Sequence, residues 1–178
     1  MADTTLMPLK AAGLTVRAEA MHAASLRYFD SQGAFAAAVR AATGGSLPDT
    51  LRAQEGAGGE VVLAWRGPTE TLLLTPNGAR LAALEGQLGA HTDGCLVNLS
   101  GALSVLRVLG EPCAGLLCRL GGSGCGPGVG EARRARLADV PVLAVSVQAG
   151  DIWLVLDRAL APHLHAWIRE TLLDFAAP

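Results

Sequence analysis

The stretch Leu63-Ala-Trp-Arg-Gly-Pro-Thr-Glu-Thr-Leu-Leu-Leu-Thr-Pro76 decides the fold. Two apolar runs flank the tight Gly67-Pro68 turn, which is the pattern of a hairpin, and Thr75-Pro76 then offers a helix cap followed by a residue suited to a first helical turn. The same order returns at residues 141–168. There Pro141-Val-Leu-Ala-Val145 leads through a turn at Gln148 to Gly150 into Trp153-Leu-Val-Leu-Asp157, and a helix starts near Ala159. Strand, turn, strand and helix occurring twice in one chain suggest a duplicated architecture.

Outward from the first copy, Ser31 reads as the N-cap of a helix whose apolar face is Phe35, Ala38, Val39 and Ala42, with Gly44-Gly45 as its stop. Residues 46–59 are rich in Gly, Pro and polar side chains and read as a loop. After the hairpin, Leu81, Leu84 and Leu88 form a buried stripe that ends at Gly89. Residues 95–108 read as strand, kink and strand, interrupted at Ser100-Gly101-Ala102. Gly110-Glu111-Pro112 opens a short helix to about Leu120, with Cys113 on its core side.

Beyond a glycine-dense loop at 121–130, Arg133-Arg134-Ala-Arg136 leads into the strand of the second copy. On the last helix Leu160, Leu164, Trp167, Ile168 and Leu172 are expected to face one way, and Pro162 sits early enough in it to be tolerated. Residues 1–30 mix alanine and charge without clear periodicity and read as an N-terminal arm ahead of a single domain at 31–178.

A chain of 178 residues suffices for one well-buried core, or at most for two intertwined half-domains sharing one, and a single domain is expected. The composition is 51% hydrophobic, yet the apolar residues fall in short runs broken by Gly and Pro, which excludes a bilayer-crossing helix. With 14 Lys+Arg against 16 Asp+Glu, nothing attracts the chain generally to phosphate backbones or anionic membranes, so neither nucleic acid nor membrane is an expected partner. Residues 1–10 hold no basic segment followed by an apolar core, and cytoplasmic residence is expected. The four cysteines, Cys95, Cys113, Cys118 and Cys125, lack the close paired spacings of zinc or redox motifs.

Other polar groups have a structural and a functional reading. A phosphate cradle at 121–130 would have to follow a strand and open a helix, whereas this loop follows a helix and enters a strand, so a connector is expected. Arg133, Arg134 and Arg136 suit either an acidic partner surface, or a polyglutamate tail, or a solvated strand entry. His163 and His165 stand two apart on a helix and point different ways, against chelation. Trp65, Trp153 and Trp167 suit core or subunit contact, with one of the three expected to be partly exposed. Arg66 and Glu70 suit a polar contact across the hairpin turn or with a partner, or plain exposed turn polarity. Ser100 lacks a placed base and acid, and is no nucleophile.

Gly45-Ser-Leu-Pro48, Gly67-Pro68-Thr-Glu70-Thr-Leu-Leu-Leu74, Asn98-Leu-Ser100, Leu106-Arg-Val-Leu-Gly110, Val140-Pro-Val-Leu143 and Leu164-His-Ala-Trp-Ile168 appear in an order and spacing that resembles the gamma subunit of heterotetrameric sarcosine oxidase. That family is related in turn to the folate-binding domain of the glycine cleavage T protein. The resemblance spans about residues 31–170. It implies an α+β fold of duplicated β-β-α-containing halves with exchanged strands, and a non-catalytic assembly subunit of a complex that oxidatively demethylates sarcosine or a related N-methyl amino acid.

It implies alpha, beta and delta subunits as partners and, when the chain is isolated, a homo-oligomer. Flavins, NAD, zinc and folate are expected on those partners, and no catalytic, cofactor or metal residue is assigned in this chain. The alternative is a stand-alone folate-binding or one-carbon transferase. T-protein relatives place paired aspartates in the strand equivalent to Val140–Val145, where this chain has hydrocarbon side chains that can neither take a proton nor bond a pterin. The relatives' Asp-Leu-Ser-His is Asn98-Leu-Ser-Gly101 here, and the 121–130 loop departs from their longer polar segment.

Overall fold

The computed structural model describes residues 6–89 and 91–176. Along the chain run β1 Leu9–Ala11, β2 Leu14–Glu19, β3 His22–Tyr28, α1 Ala34–Thr43, β4 Ala53–Glu55, β5 Val62–Gly67, β6 Glu70–Thr75, α2 Gly78–Leu88, β7 Gly94–Asn98, β8 Leu103–Leu109, α3 Cys113–Gly121, β9 Glu131–Leu137, β10 Val140–Gln148, β11 Asp151–Asp157 and α4 Ala161–Ala176. Two compact units result, where the sequence suggests a single domain. The middle unit holds residues 20–101, and the flanking unit joins the residues up to Glu19 with those from Ala102 onward.

The middle unit has a sheet ordered β4-β5-β6-β3-β7, every pair antiparallel. Alternation along its strands sends Leu26, Leu63, Leu73 and Leu96 to one face, where Phe35 and Val39 of α1 and Leu81, Leu84 and Leu88 of α2 close the core. In the flanking unit the order is β1-β2-β8-β11-β10-β9, again antiparallel throughout. Its core gathers Val16, Leu106, Val142, Leu154 and Leu156 against Cys113, Leu116 and Leu117 of α3 and Leu164, Ile168 and Leu172 of α4.

The expected duplication is present and is longer than the hairpin that signals it. The order β3-α1-β4-β5-β6-α2 recurs as β8-α3-β9-β10-β11-α4. Each copy is preceded by one strand, β2 or β7, and these two are exchanged: β2 pairs with β8 of the second copy, while β7 pairs with β3 of the first. Both hairpins also share a bulge on their leading strand, between Trp65 and Gly67 in one and between Val145 and Gln148 in the other. An added residue there raises the local twist and re-aims the side chains beside the turn.

Several expectations are corrected. Residues read as an arm form β1, β2 and β3, and β3 lies between β6 and β7, paired with both. Their small side chains hide the pattern: Ala23, Ala24 and Ser25 are buried without being large. The Ser100-Gly101-Ala102 interruption is no kink, because β7 and β8 belong to different sheets. Residues 46–59 are not wholly loop, since β4 pairs with β5 through Ala53 and Ala64.

Ser31 does not cap α1. Gly33 holds the N-cap position, and Asp93 Oδ2 accepts from the Phe35 N–H at 3.0 Å, a cap supplied from a distant part of the chain. Likewise Asn77 rather than Thr75 caps α2, its Oδ1 accepting from the N–H groups of Ala79 and Arg80. The basic run at Arg133–Arg136 is itself strand β9, joined to β10 by a turn in which Ala138 and Asp139 both have positive φ, 47° and 63°. On the last helix Leu164, Ile168 and Leu172 are buried, whereas Leu160 and Trp167 face outward.

Candidate functional site

Both sheets carry their polar groups on the face turned away from the helices, and both place a carboxylate at the first residue after the bulged hairpin. In the middle unit this is Glu70. Its Oε1 accepts from Ser25 Oγ at 2.6 Å and from Arg66 Nη1 at 2.9 Å, with Arg27 Nη2 at 4.0 Å. The polar contact expected between Arg66 and Glu70 across the turn is therefore made. Glu70 keeps 18% of its side chain in solvent.

The flanking unit places Asp151 at the equivalent position and buries it. Oδ1 accepts from Arg107 Nε at 2.9 Å and Trp153 Nε1 at 3.1 Å; Oδ2 accepts from Arg107 Nη2 at 2.5 Å and Gln148 Nε2 at 2.9 Å. A carboxylate has about four lone-pair sites, and here four donors fill them. Arg107 also reaches Glu19 Oε1 at 3.4 Å and lies over the Trp153 ring, 5.6 Å from its centroid. Hydrogen bonding to Asp151 raises the Arg107 pKa above its already high ordinary value, so the guanidinium stays charged throughout. An aspartate held this way anchors the corner of the sheet.

The residues weighed from sequence stand apart from one another. Ser100 Oγ accepts from the Ala23 N–H at 3.2 Å, and Asn98 Oδ1 accepts from the Ser100 N–H at 2.9 Å, so the Asn98-Leu-Ser100 motif fastens the end of β7. His163 is exposed while His165 is nearly buried, its Nε2 2.8 Å from the Met7 carbonyl oxygen. Arg133 Nε donates to Glu131 at 2.9 Å, Arg136 donates to the Asp139 carbonyl at 2.8 Å, and Arg134 is exposed. At least one partly exposed tryptophan is expected; Trp167 is 51% exposed, and Trp65 and Trp153 are themselves only partly buried.

In β10, Val140, Val142 and Ala144 face the helices, while Leu143 and Val145 are buried on the other face. All four cysteines are free. Burial raises the Cys113 thiol pKa, which keeps it protonated and unreactive. Among the described residues no group of three or more His, Cys, Asp or Glu is gathered in metal-binding geometry.

Sequence reasoning passes over the Asp151–Arg107 pair and over a cleft of about 460 Å³ in the middle unit. The cleft is lined by Arg27, Phe29, Glu70, His91, Thr92 and Cys95 among others. A signal for the pair is present in retrospect: Arg107 interrupts the apolar run of β8 and Asp151 opens the apolar run of β11, and a charged residue in such a setting must be paired to be buried.

Two tandem copies with exchanged first strands define the class of scaffold. The chain is similar to the glycine cleavage system aminomethyltransferase T from Bartonella henselae, with a TM-score of 0.68, 15% identity, and 92% of this chain against 46% of that one covered. At that identity the likeness shows the fold alone.

Residues 27–173 match the family described as "Sarcosine oxidase, gamma subunit family", and the chain belongs to that family. It is 34% identical over 151 residues to the sarcosine oxidase subunit gamma of Arthrobacter sp, covering 80% of this chain and 71% of the relative. The corresponding subunit of Corynebacterium sp. (strain U-96) is 33% identical over 146 residues, 79% and 70% covered. Among solved structures, a chain of the heterotetrameric sarcosine oxidase from Corynebacterium sp. U-96, in complex with pyrrole 2-carboxylate, aligns with a TM-score of 0.82 and 28% identity. That alignment covers 95% of this chain and 90% of the other.

Proposed function

We propose that the chain is the non-catalytic gamma subunit of a cytoplasmic, heterotetrameric sarcosine oxidase and acts by protein contact. The observation that carries this reading is the agreement of the family match over residues 27–173 with a likeness to one chain of such a complex over 95% of this chain. Local chemistry supports it. Where a folate-dependent relative needs carboxylates, β10 offers Val142, Leu143, Ala144 and Val145, and the buried Asp151 spends its acceptor capacity on Arg107, Gln148 and Trp153.

The partners on this reading are alpha, beta and delta subunits, and they hold the flavins, NAD, zinc and folate. Oxidative demethylation then takes place on the partners, with this chain holding them in register. Affinity purification of the tagged chain from its native cell tests the proposal. Recovery of a yellow, flavin-bearing assembly that oxidises sarcosine is expected; recovery of the tagged chain by itself, in cells that express the oxidase, would overturn it.

A further inference from the structure

Strand β7 is the outer strand of the middle unit's sheet, paired on one side to β3. The Leu99 N–H donates to the Ala23 carbonyl at 2.7 Å and the Phe29 N–H to the Asp93 carbonyl at 3.1 Å, which fixes the ladder's phase. Val97 and Cys95 turn their main-chain groups toward β3, and Leu96 and Asn98 turn theirs away. Such an open edge is a template for another strand unless charge, proline or a bulge blunts it.

The outer strands of the other sheet are blunted, since β9 carries Arg133, Arg134 and Arg136, while β1 is three residues long and carries Lys10. β7 reads Gly94-Cys-Leu-Val-Asn98 and carries no charge, proline or bulge. Beside it Phe29 is 89% exposed and Val97 42%. The adjoining cleft of about 460 Å³ is bounded by Phe29, Cys95 and Arg27.

Charge says what fits there. Glu70 Oε1 is already held by Ser25 and Arg66, and Arg27, with 65% of its side chain exposed, reaches it only at 4.0 Å. The guanidinium thus keeps donors for an incoming carboxylate, whose planar geometry its fork matches.

We propose that the β7 edge and this cleft form a docking site for an extended segment of a partner subunit. The segment pairs its main chain with Leu96 and Asn98, sets a carboxylate on Arg27 and lays an apolar side chain against Phe29 and Val97. This rests on the subunit reading above and adds where one partner engages the chain.

Cys95 is the built-in reporter. In the intact complex its alkylation is expected to slow by about tenfold or more relative to the free chain, as for a site occluded by a bound segment. Arg27→Glu is expected to weaken assembly by about tenfold or more, a charge reversal at a contact, while Arg134→Glu on β9 leaves assembly unchanged. Because Arg27 is largely exposed, the isolated Arg27→Glu chain should melt as the unmodified chain does; if it does not, Cys95 protection decides.

A complex that assembles with Cys95 still fully reactive overturns the docking site alone, whereas failure to find any complex counts against the subunit reading. Dimers of the isolated chain that Arg27→Glu abolishes would instead assign the edge to a second copy, and would also overturn the proposal.

Discussion

The two units build the same corner with different chemistry. In each, a bulged hairpin delivers a carboxylate to the first residue of its second strand, on the face away from the helices. The residue two positions before its cross-strand partner donates to it: Ser25 reaches Glu70 from β3, and Arg107 reaches Asp151 from β8. The serine version is small and leaves Glu70 and Arg27 facing a cleft; the arginine version fills its corner and seals the aspartate at 2% exposure. One copy of the repeat is therefore left open while the other is closed around an ion pair.

Replacing Arg107 with methionine should separate the corners most sharply. It strands a buried carboxylate, and a loss of about 3–5 kcal/mol in urea unfolding is expected. Adding Asp151→Leu to that variant should restore most of the loss, because an apolar pair of similar volume avoids the desolvation cost; no recovery would mean that the packing around Trp153, rather than the unpaired charge, dominates.

Glu70→Gln in the open corner should cost only about 1 kcal/mol, since partly exposed ion pairs contribute little, and the loss should shrink as salt is raised. Asn77→Ala, which removes the cap of the middle unit's second helix, should cost about 1 kcal/mol by the same measurement. Smallest in energy but simple to read is pH. With the Cys113 pKa raised in the folded state, stability is full below the ordinary thiol value of 9.0 and falls as pH rises past it, and Cys113→Ala should flatten that slope.

How much of this was legible follows the range of the interactions. The hairpin at Trp65 and its echo near Trp153 are local, and periodicity alone reveals them with the Leu81, Leu84 and Leu88 stripe. The helix caps are legible only when local: Asn77 serves its own helix, whereas α1 takes its cap from Asp93, which no reading of residues 31–35 shows. β2 and β3 escape a sequence reading because their partners lie far along the chain and because β3 buries Ala23, Ala24 and Ser25, whose small side chains mark no apolar alternation. The polar corner was half legible. Arg66 and Glu70 sit on one turn, but Arg107 and Asp151 meet across two strands separated by a helix and a further hairpin.

The exchange of β2 and β7 has a consequence for synthesis on the ribosome. β2 emerges early and pairs at once with β1 on one side, but its other side has no partner until β8 has been made, so that side waits unpaired through translation of the whole middle unit. β7 completes the first sheet just before the second copy begins. A chain severed at Gly101 would keep all five strands of the middle unit's sheet on the first piece, together with β1 and β2, which belong to the sheet of the second piece. The first piece could finish its own sheet, whereas the second could finish its sheet only by taking back β2 and β1 from the first, so the two would reassemble as non-covalent halves.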